Sequence, residues 1–285
     1  KDNHVSDYAS KFILSYVLGK HLFIKNKKYD IIFKERRMIM EKKTVLITGA
    51  SRGLGRTISR VFAKNNHNII LNYNNSEKEA LKLKEELEKY NIEVLPIKAD
   101  ITKEEEIKNM VEKSIEKFKK IDVLINNAGI AIDTEFEDKT KENFIKILDT
   151  NLIGPFLVAK YVGEHMIKEK QGCIINISST NGLESYYEYS LDYDASKAGL
   201  ISLTHNLALH YAPYIRVNCV APGWINTEMN KNLDEDYIKD ETKKILLKRF
   251  AEPEEIANVV YFLTTKEAKY INNEIIRVDG GTIHA

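Results

Sequence analysis

Apolar residues along this chain fall in short runs of strand length, separated by polar stretches with helical spacing. From Lys42 onward the runs are TVLIT (44–48), NIILNY (68–73), IEVLPIKA (92–99), IDVLINNAG (121–129), CIINIS (173–178), IRVNCVAPG (215–223) and a closing NEIIRVDGG. Between them, stretches such as SEKEALKLKEELEKY and KEEEIKNMVEKSIEKF repeat their apolar residues at three and four positions, the period of an amphipathic helix. A long helical region is expected from about Thr140 to Lys168, a further helix around Tyr193 and Lys197, and a last one from about Pro253. Continuous Val/Ile/Leu runs separated by helices imply parallel strands buried on both faces. Right-handed crossovers then give an α/β fold of Rossmann type, a doubly wound sheet of seven mainly parallel strands with helices on both faces. Residues 41–285 keep this alternation without linker or repeat and are expected to form one domain.

The first forty residues break the pattern. KFILSYVLGKHLFIKNKKYDIIFKERRMIM is basic, with short apolar bursts and no lasting period. Asp2, Asp7, Asp30 and Glu35 suit a transit peptide poorly, because such segments avoid acids. Residues 1–40 are therefore expected to be an extension upstream of the working start, with Met38 or Met40 as initiator.

Composition narrows the function mainly by exclusion. The 285 residues are 43% hydrophobic with a net charge of +1, ordinary for a soluble globular protein. No basic stripe lies beyond the extension, so nucleic acid is not an expected partner. No run reaches the roughly 18 apolar residues of a membrane span, and a cytoplasmic location is expected. Cys173 and Cys219 lie in apolar runs, which suits reduced, buried residues better than a disulfide or metal site. The seven histidines are dispersed, and no metal site is expected.

The chemistry begins at TGASRGLGR, where Gly49, Gly53 and Gly55 fall between a strand and a helix. Glycines let the backbone approach a ligand closely, and a helix N-terminus offers free N–H groups to a diphosphate. The spacing is G-x-x-x-G-x-G, not the G-x-G-x-x-G of the usual fingerprint. An NAD site usually places an acid after the second strand, but here Tyr73, Asn74 and Asn75 stand there. Arg52 in the glycine turn could pair with a 2′-phosphate. NADP(H) is therefore expected over NAD(H).

YDASK (193–197) then sets a tyrosine four residues before a lysine, on one helix face. A lysine ammonium nearby favours phenolate and is expected to lower the Tyr193 pKa from near 10 toward neutrality. Ser178 ends the CIINIS run and Ser179 lies just beyond it, at the carboxyl edge where doubly wound sheets bind ligands. Either hydroxyl could hold a developing oxyanion, and Ser179 is preferred. Pro155 lacks the N–H that would bond the carbonyl of Asn151, leaving that oxygen for another partner.

With TGASRGLG (48–55), AD (99–100), NNAG (126–129), Asn151, SS (178–179), YDASK (193–197) and PGWINT (222–227) in order, the chain resembles the short-chain dehydrogenases/reductases. Within that family it is similar to the 3-oxoacyl-[acyl-carrier-protein] reductases of fatty acid biosynthesis. The resemblance implies an Asn151–Ser179–Tyr193–Lys197 catalytic set, with Lys197 also holding the nicotinamide ribose and Asn151 a relay water. It implies cofactor contacts from Gly49, Ser51, Arg52, Gly53, Leu54, Gly55, Asn74, Asp100, Ile101, Asn127, Ala128, Gly129, Tyr193, Lys197, Ile225 and Thr227. It further implies an acyl-thioester or other small ketone substrate, an acyl carrier protein as partner, and a homotetramer or homodimer. A reductase of sugar, steroid or xenobiotic carbonyls is the alternative, and a non-catalytic NADP(H) sensor the rival from another class. Three departures bear on substrate. NGLESYYEYSLD before Tyr193 is long and aromatic, residues 226–248 read as a mobile lid, and Asn273 stands where the family often has glycine.

Overall fold

Neighbouring residues of each strand point to opposite faces of a sheet, so a strand that is apolar at every position must be covered on both sides. The computed structural model describes residues 42–184, 187–228 and 234–283, and the proposed extension 1–40 lies outside them. The strands are β1 (Thr44–Ile47), β2 (Asn68–Tyr73), β3 (Val94–Lys98), β4 (Val123–Asn126), β5 (Gly172–Ile177), β6 (Ile215–Pro222) and β7 (Ile275–Val278). They form one sheet in the order β3-β2-β1-β4-β5-β6-β7, and every pairing is parallel. The helices are α1 (Gly53–Lys64), α2 (Glu77–Leu87), α3 (Glu104–Phe118), α4 (Lys141–Leu148), α5 (Gly154–Lys168), α6 (Leu191–Tyr211), α7 (Glu235–Lys244) and α8 (Pro253–Leu263).

Val45, Ile47, Ile69, Leu71 and Val123 pack on one face with Ile58 and Phe62 of α1, Leu83 and Leu87 of α2 and Val260 of α8. Leu46, Ile70, Leu124 and Ile174 pack on the other with Met110 of α3, Val158 and Val162 of α5 and Leu207 of α6. Each fully buried side chain of this size contributes about 1.5–3 kcal/mol relative to exposure. Helices α5 and α6 approach so closely that a Cβ on Gly163 would stand 2.2 Å from the Tyr211 hydroxyl. That hydroxyl donates to the Ala159 carbonyl at 2.9 Å.

The long helical region expected from 140 to 168 is interrupted. Between α4 and α5, residues Asp149–Ile153 form a wider π turn, in which the Gly154 N–H reaches the Asp149 carbonyl five residues back. Pro155 explains the change, because a proline ring clashes with the carbonyl four residues earlier and offers no N–H. At the other end of the sheet, Asn273 adopts φ +63°. This left-handed conformation is one that asparagine tolerates better than most residues, so the exchange for glycine keeps the turn before β7. Helix α7 occupies the centre of the expected lid, of which residues 229–233 lie outside the described set.

Candidate active site

The strand order reverses between β1 and β4, and doubly wound sheets bind ligands where this happens, beyond the carboxyl ends of their strands. A cleft of about 1150 Å³ opens there. Of the expected cofactor and catalytic residues, all except Asn151 line it.

Gly49 (φ +61°) and Gly53 (φ +51°) adopt left-handed backbone, and a Cβ on Gly55 would stand 2.4 Å from the Gly49 carbonyl. The turn is pinned from below. Thr48 Oγ1 accepts from the N–H groups of Asn127 and Ala128, both at 3.0 Å. The Asn127 amide donates back to the Thr48 carbonyl at 2.9 Å. Asn72, absent from the sequence-based set, accepts from the Gly49 N–H at 3.2 Å and donates to the Ala99 carbonyl at 3.0 Å. A buried asparagine in an otherwise apolar strand run was its signal.

Helix α1 starts at Gly53 with no side-chain cap and no acid in its first turn, so its leading N–H groups face the cleft without an internal anion. That donor set, with the glycine cradle, fits a dinucleotide diphosphate. Arg52 is exposed at the rim, and its guanidinium forms no ion pair among the described residues. Asn74 and Asp100 meet across the cleft. Burial works to raise the Asp100 pKa, and hydrogen bonds from Thr102 and Asn74 outweigh it and hold the carboxyl below its usual range. Ile101 lines the cleft while its side chain packs onto Gly154.

Asn151 is fully buried and lies beneath Gly129, whose added Cβ would be 3.3 Å from Asn151 Oδ1 and 3.4 Å from Lys197 Nζ. Its amide oxygen accepts from the Ile130 N–H and its Nδ2 donates to the Ile130 carbonyl, each at 2.8 Å. Nδ2 also donates to Ser196 Oγ at 3.1 Å, and Ser196 donates to the Tyr193 carbonyl at 2.7 Å. The side chain is thus a structural bracket between the strand end and α6.

Helix α6 brings Tyr193 and Lys197 to one side, with Lys197 Nζ 5.5 Å from the centre of the Tyr193 ring. Nζ donates to the Ile177 carbonyl at 2.9 Å. The two serines separate cleanly. Ser178 is buried and donates to the Lys197 carbonyl at 2.8 Å. Ser179 faces the cleft, and its hydrogen bond to Tyr193 works to lower the phenol pKa.

The expected acidification of Tyr193 is not what the protein alone provides. Burial raises the phenol to about 12, Asp194 and Asp133 add to the rise, and the Ser179 bond only partly offsets it. Burial likewise lowers Lys197 to about 8. Desolvation outweighs proximity here because the ammonium loses solvation in the same pocket as the phenol.

Two carboxylates that the motif reading passed over flank Tyr193. Asp194 accepts from Asn181 Nδ2 at 2.7 Å, Ser190 Oγ at 2.9 Å and the Tyr187 N–H at 3.1 Å. Asp192 accepts from the Tyr193 N–H at 3.0 Å and from Lys139 Nζ at 2.7 Å. Beyond them, Trp224 stacks on Phe250 at 5.4 Å and meets Tyr237 of α7 edge-on at 5.9 Å.

Comparison with known proteins agrees with this geometry. The family model described as Enoyl-(Acyl carrier protein) reductase matches residues 49–283. The chain is 38% identical over 240 residues to 3-oxoacyl-[acyl-carrier-protein] reductase FabG of Staphylococcus epidermidis, covering 84% of this chain and 98% of that protein. It is 38% identical over 248 residues to FabG of Thermotoga maritima, covering 86% and 100% respectively. Among solved structures, a dehydrogenase/reductase from Sinorhizobium meliloti superposes with a TM-score of 0.81 at 29% identity, covering 87% of this chain and 98% of that one. Acetoin dehydrogenase YohF from Salmonella typhimurium gives 0.77 at 30% identity, covering 85% and 96%. The chain belongs to the short-chain dehydrogenases/reductases and is an oxidoreductase of the CH–OH/ketone type.

Proposed function

We propose that this short-chain dehydrogenase/reductase is an NADP(H)-dependent 3-oxoacyl-thioester reductase, with Asn151, Ser179, Tyr193 and Lys197 as its catalytic set. The observation that carries the reading is convergence. The Tyr193 phenol, the Ser179 hydroxyl and the glycine turn all line one cleft at the carboxyl edge of the sheet.

When bound, the nicotinamide supplies the hydride that reaches the ketone carbon. Ser179 donates to the ketone oxygen and holds the charge that develops there. Tyr193 gives that oxygen its phenolic proton. Lys197, beneath Gly129, orients the ribose and its charge assists recovery of the phenol proton. Asn151 holds Ile130, in the segment after β4, in place, and Pro155 leaves its carbonyl without the helical N–H partner, which suits a relay water. Gly49, Ser51, Gly53, Leu54, Gly55, Asn127 and Ala128 shape the diphosphate and adenosine side, with Asp100 and Ile101 at the adenine. Ile225 and Thr227, which line the same cleft, would hold the carboxamide.

NADP(H) over NAD(H) is supported by Arg52 and Asn74 at the rim and by the lack of a carboxylate at positions 73–75. The acyl-thioester substrate and an acyl carrier protein as its bearer follow the names of the FabG relatives, and a homotetramer or homodimer in the cytoplasm is part of the same proposal. The test is NADPH oxidation with a panel of ketones that includes 3-oxoacyl thioesters, comparing wild type with Tyr193→Phe and Arg52→Ala. Expected are turnover of the thioester, a loss of about 100-fold or more in Tyr193→Phe and weakened NADPH but unchanged NADH use in Arg52→Ala. Cofactor binding without turnover of any ketone would overturn the reading.

A further inference from the structure

The Lys139–Asp192 pair is unusual for its burial. Its nitrogen–oxygen distance is 2.7 Å and the two side chains are 6% and 0% exposed. Such a pair is weak as a source of net stability, because two charges lose water in exchange for one contact. Its place in the fold suggests a different role. Lys139 Nζ also donates to the Ile132 carbonyl at 2.7 Å, and Ile132 lines the cleft. The same Asp192 Oδ1 that receives the ammonium receives the Tyr193 N–H. One ammonium therefore ties the strand-end segment on the cleft wall to the first turn of α6.

Ser190 provides no side-chain cap for α6, so this turn depends on other anchors. Asp194 ties it to Asn181, Tyr187 and Ser190, Ser196 ties the Tyr193 carbonyl to Asn151, and Asp192 ties the Tyr193 N–H to Lys139. Asp192 Oδ2 is buried with no partner among the described residues. A carboxylate with one oxygen unsatisfied is retained at a cost, and packing alone does not explain it.

We propose that Lys139 and Asp192 are positioning residues, which act through Tyr193 by fixing its backbone and hence the phenol relative to the cleft wall. This rests on the reductase reading above, in which Tyr193 is the proton donor. The two carboxylates divide the work. Asp194 sets the loop side of Tyr193, and Asp192 sets the cofactor side through Lys139.

The experiment compares wild type, Lys139→Met, Lys139→Arg and Asp192→Asn, with Lys139→Met repeated in a Tyr193→Phe background. For each, ketone kcat and KM, NADPH affinity by fluorescence titration and thermal midpoint are measured. Lys139→Met is expected to lower kcat by at least about tenfold, since a displaced proton donor loses rate steeply. KM and NADPH affinity should stay within about twofold, the pattern of a contact felt mainly in the transition state. Lys139→Arg should restore most of the rate. In the Tyr193→Phe background the same change should cost little more, as expected of residues acting through one group.

A lowered thermal midpoint with wild-type kcat would overturn the proposal, as would an undiminished effect in the Tyr193→Phe background. Should Lys139→Met not fold, Lys139→Met/Asp192→Met removes the pair without leaving one charge alone. Full kcat in that variant would overturn the proposal and a retained deficit would support it. If wild type turns over no ketone, the reductase reading falls and takes this proposal with it. If wild type turns over and the variants match it, only the positioning role falls.

Discussion

Lys197 donates its hydrogen bond to the Ile177 carbonyl and stands 5.5 Å from the centre of the Tyr193 ring. The ammonium is therefore held by the sheet edge rather than by the phenol. A cation fixed in this way serves whatever enters between the strand end and the helix, and burial lowers its pKa to about 8.

The first prediction concerns cofactor affinity against pH. In the free protein Lys197 gives up its proton near pH 8, so an anionic or hydroxyl-rich ligand loses a charged donor above that point. NADPH affinity in wild type should weaken by roughly tenfold as pH rises from 7 to 9, the worth of one charge-assisted hydrogen bond. In Lys197→Met the affinity should be weaker and flat across the same range. Equal slopes in the two proteins, read by fluorescence titration, would remove Lys197 from cofactor binding.

The two serines should respond in opposite ways. Ser179→Ala should lower kcat by about 100-fold or more, the usual loss of one oxyanion donor, with a small fall in thermal midpoint because Ser179 Oγ also accepts from the Asn181 N–H at 3.2 Å. Ser178→Ala removes a buried bond to the Lys197 carbonyl and should cost about 1 kcal/mol of stability, seen as a lower urea midpoint. A rate loss in Ser178→Ala as large as in Ser179→Ala would reverse their roles.

Gly55→Ala probes the turn itself. The added methyl would stand 2.4 Å from the Gly49 carbonyl and 2.5 Å from the Asn127 amide nitrogen. Overpacking of this kind costs about 1–3 kcal/mol, and relief requires the turn to part from Asn127. Thermal stability and NADPH affinity should both fall, whereas Gly53→Ala, which meets nothing within 4 Å, should spare packing and show only backbone strain. Calorimetry and titration on the two variants would separate these effects.

Stability against pH should carry the mark of His67. Burial lowers its pKa to about 4, with Lys43 adding to the effect, and its Nδ1 accepts from the Lys43 N–H at 3.1 Å. The ring remains neutral in the fold, while in the unfolded chain it takes a proton below about pH 6.5. Between these values the unfolded state binds more protons, so stability falls as pH drops from 6.5 toward 4 and this contribution is gone below 4. Urea unfolding at pH 7 and 4.5 should show a smaller drop in His67→Gln than in wild type. Equal drops would assign the acid sensitivity to carboxylates alone.

Much of this architecture was legible in the chain because its signals are local. Seven apolar runs and the helices between them specify a doubly wound sheet, and strand alternation accounts for the two cores on its faces. Tyr193 and Lys197 share a helix face, as four-residue spacing requires. The glycine turn was legible as a ligand cradle, but its support by Asn127 and Asn72 was not, since those bonds span 79 and 23 positions. Lys139 and Asp192 are 53 positions apart, and nothing in either segment announces the other. The direction of the Tyr193 shift was misjudged for a related reason. Spacing reveals a neighbour, whereas desolvation sums over every element packed around the phenol.

The π turn at Asp149–Ile153 inserts what amounts to one extra residue between two ordinary helices. One residue corresponds to about 100° of rotation about a helix axis, so the amphipathic stripes of α4 and α5 are out of phase. Deleting a single residue there would mend the spiral and swing α4 around its own axis, away from its present packing against α6. The irregular turn works as a phase adjuster, letting one continuous stretch of chain present one side to the sheet and a different side to α6.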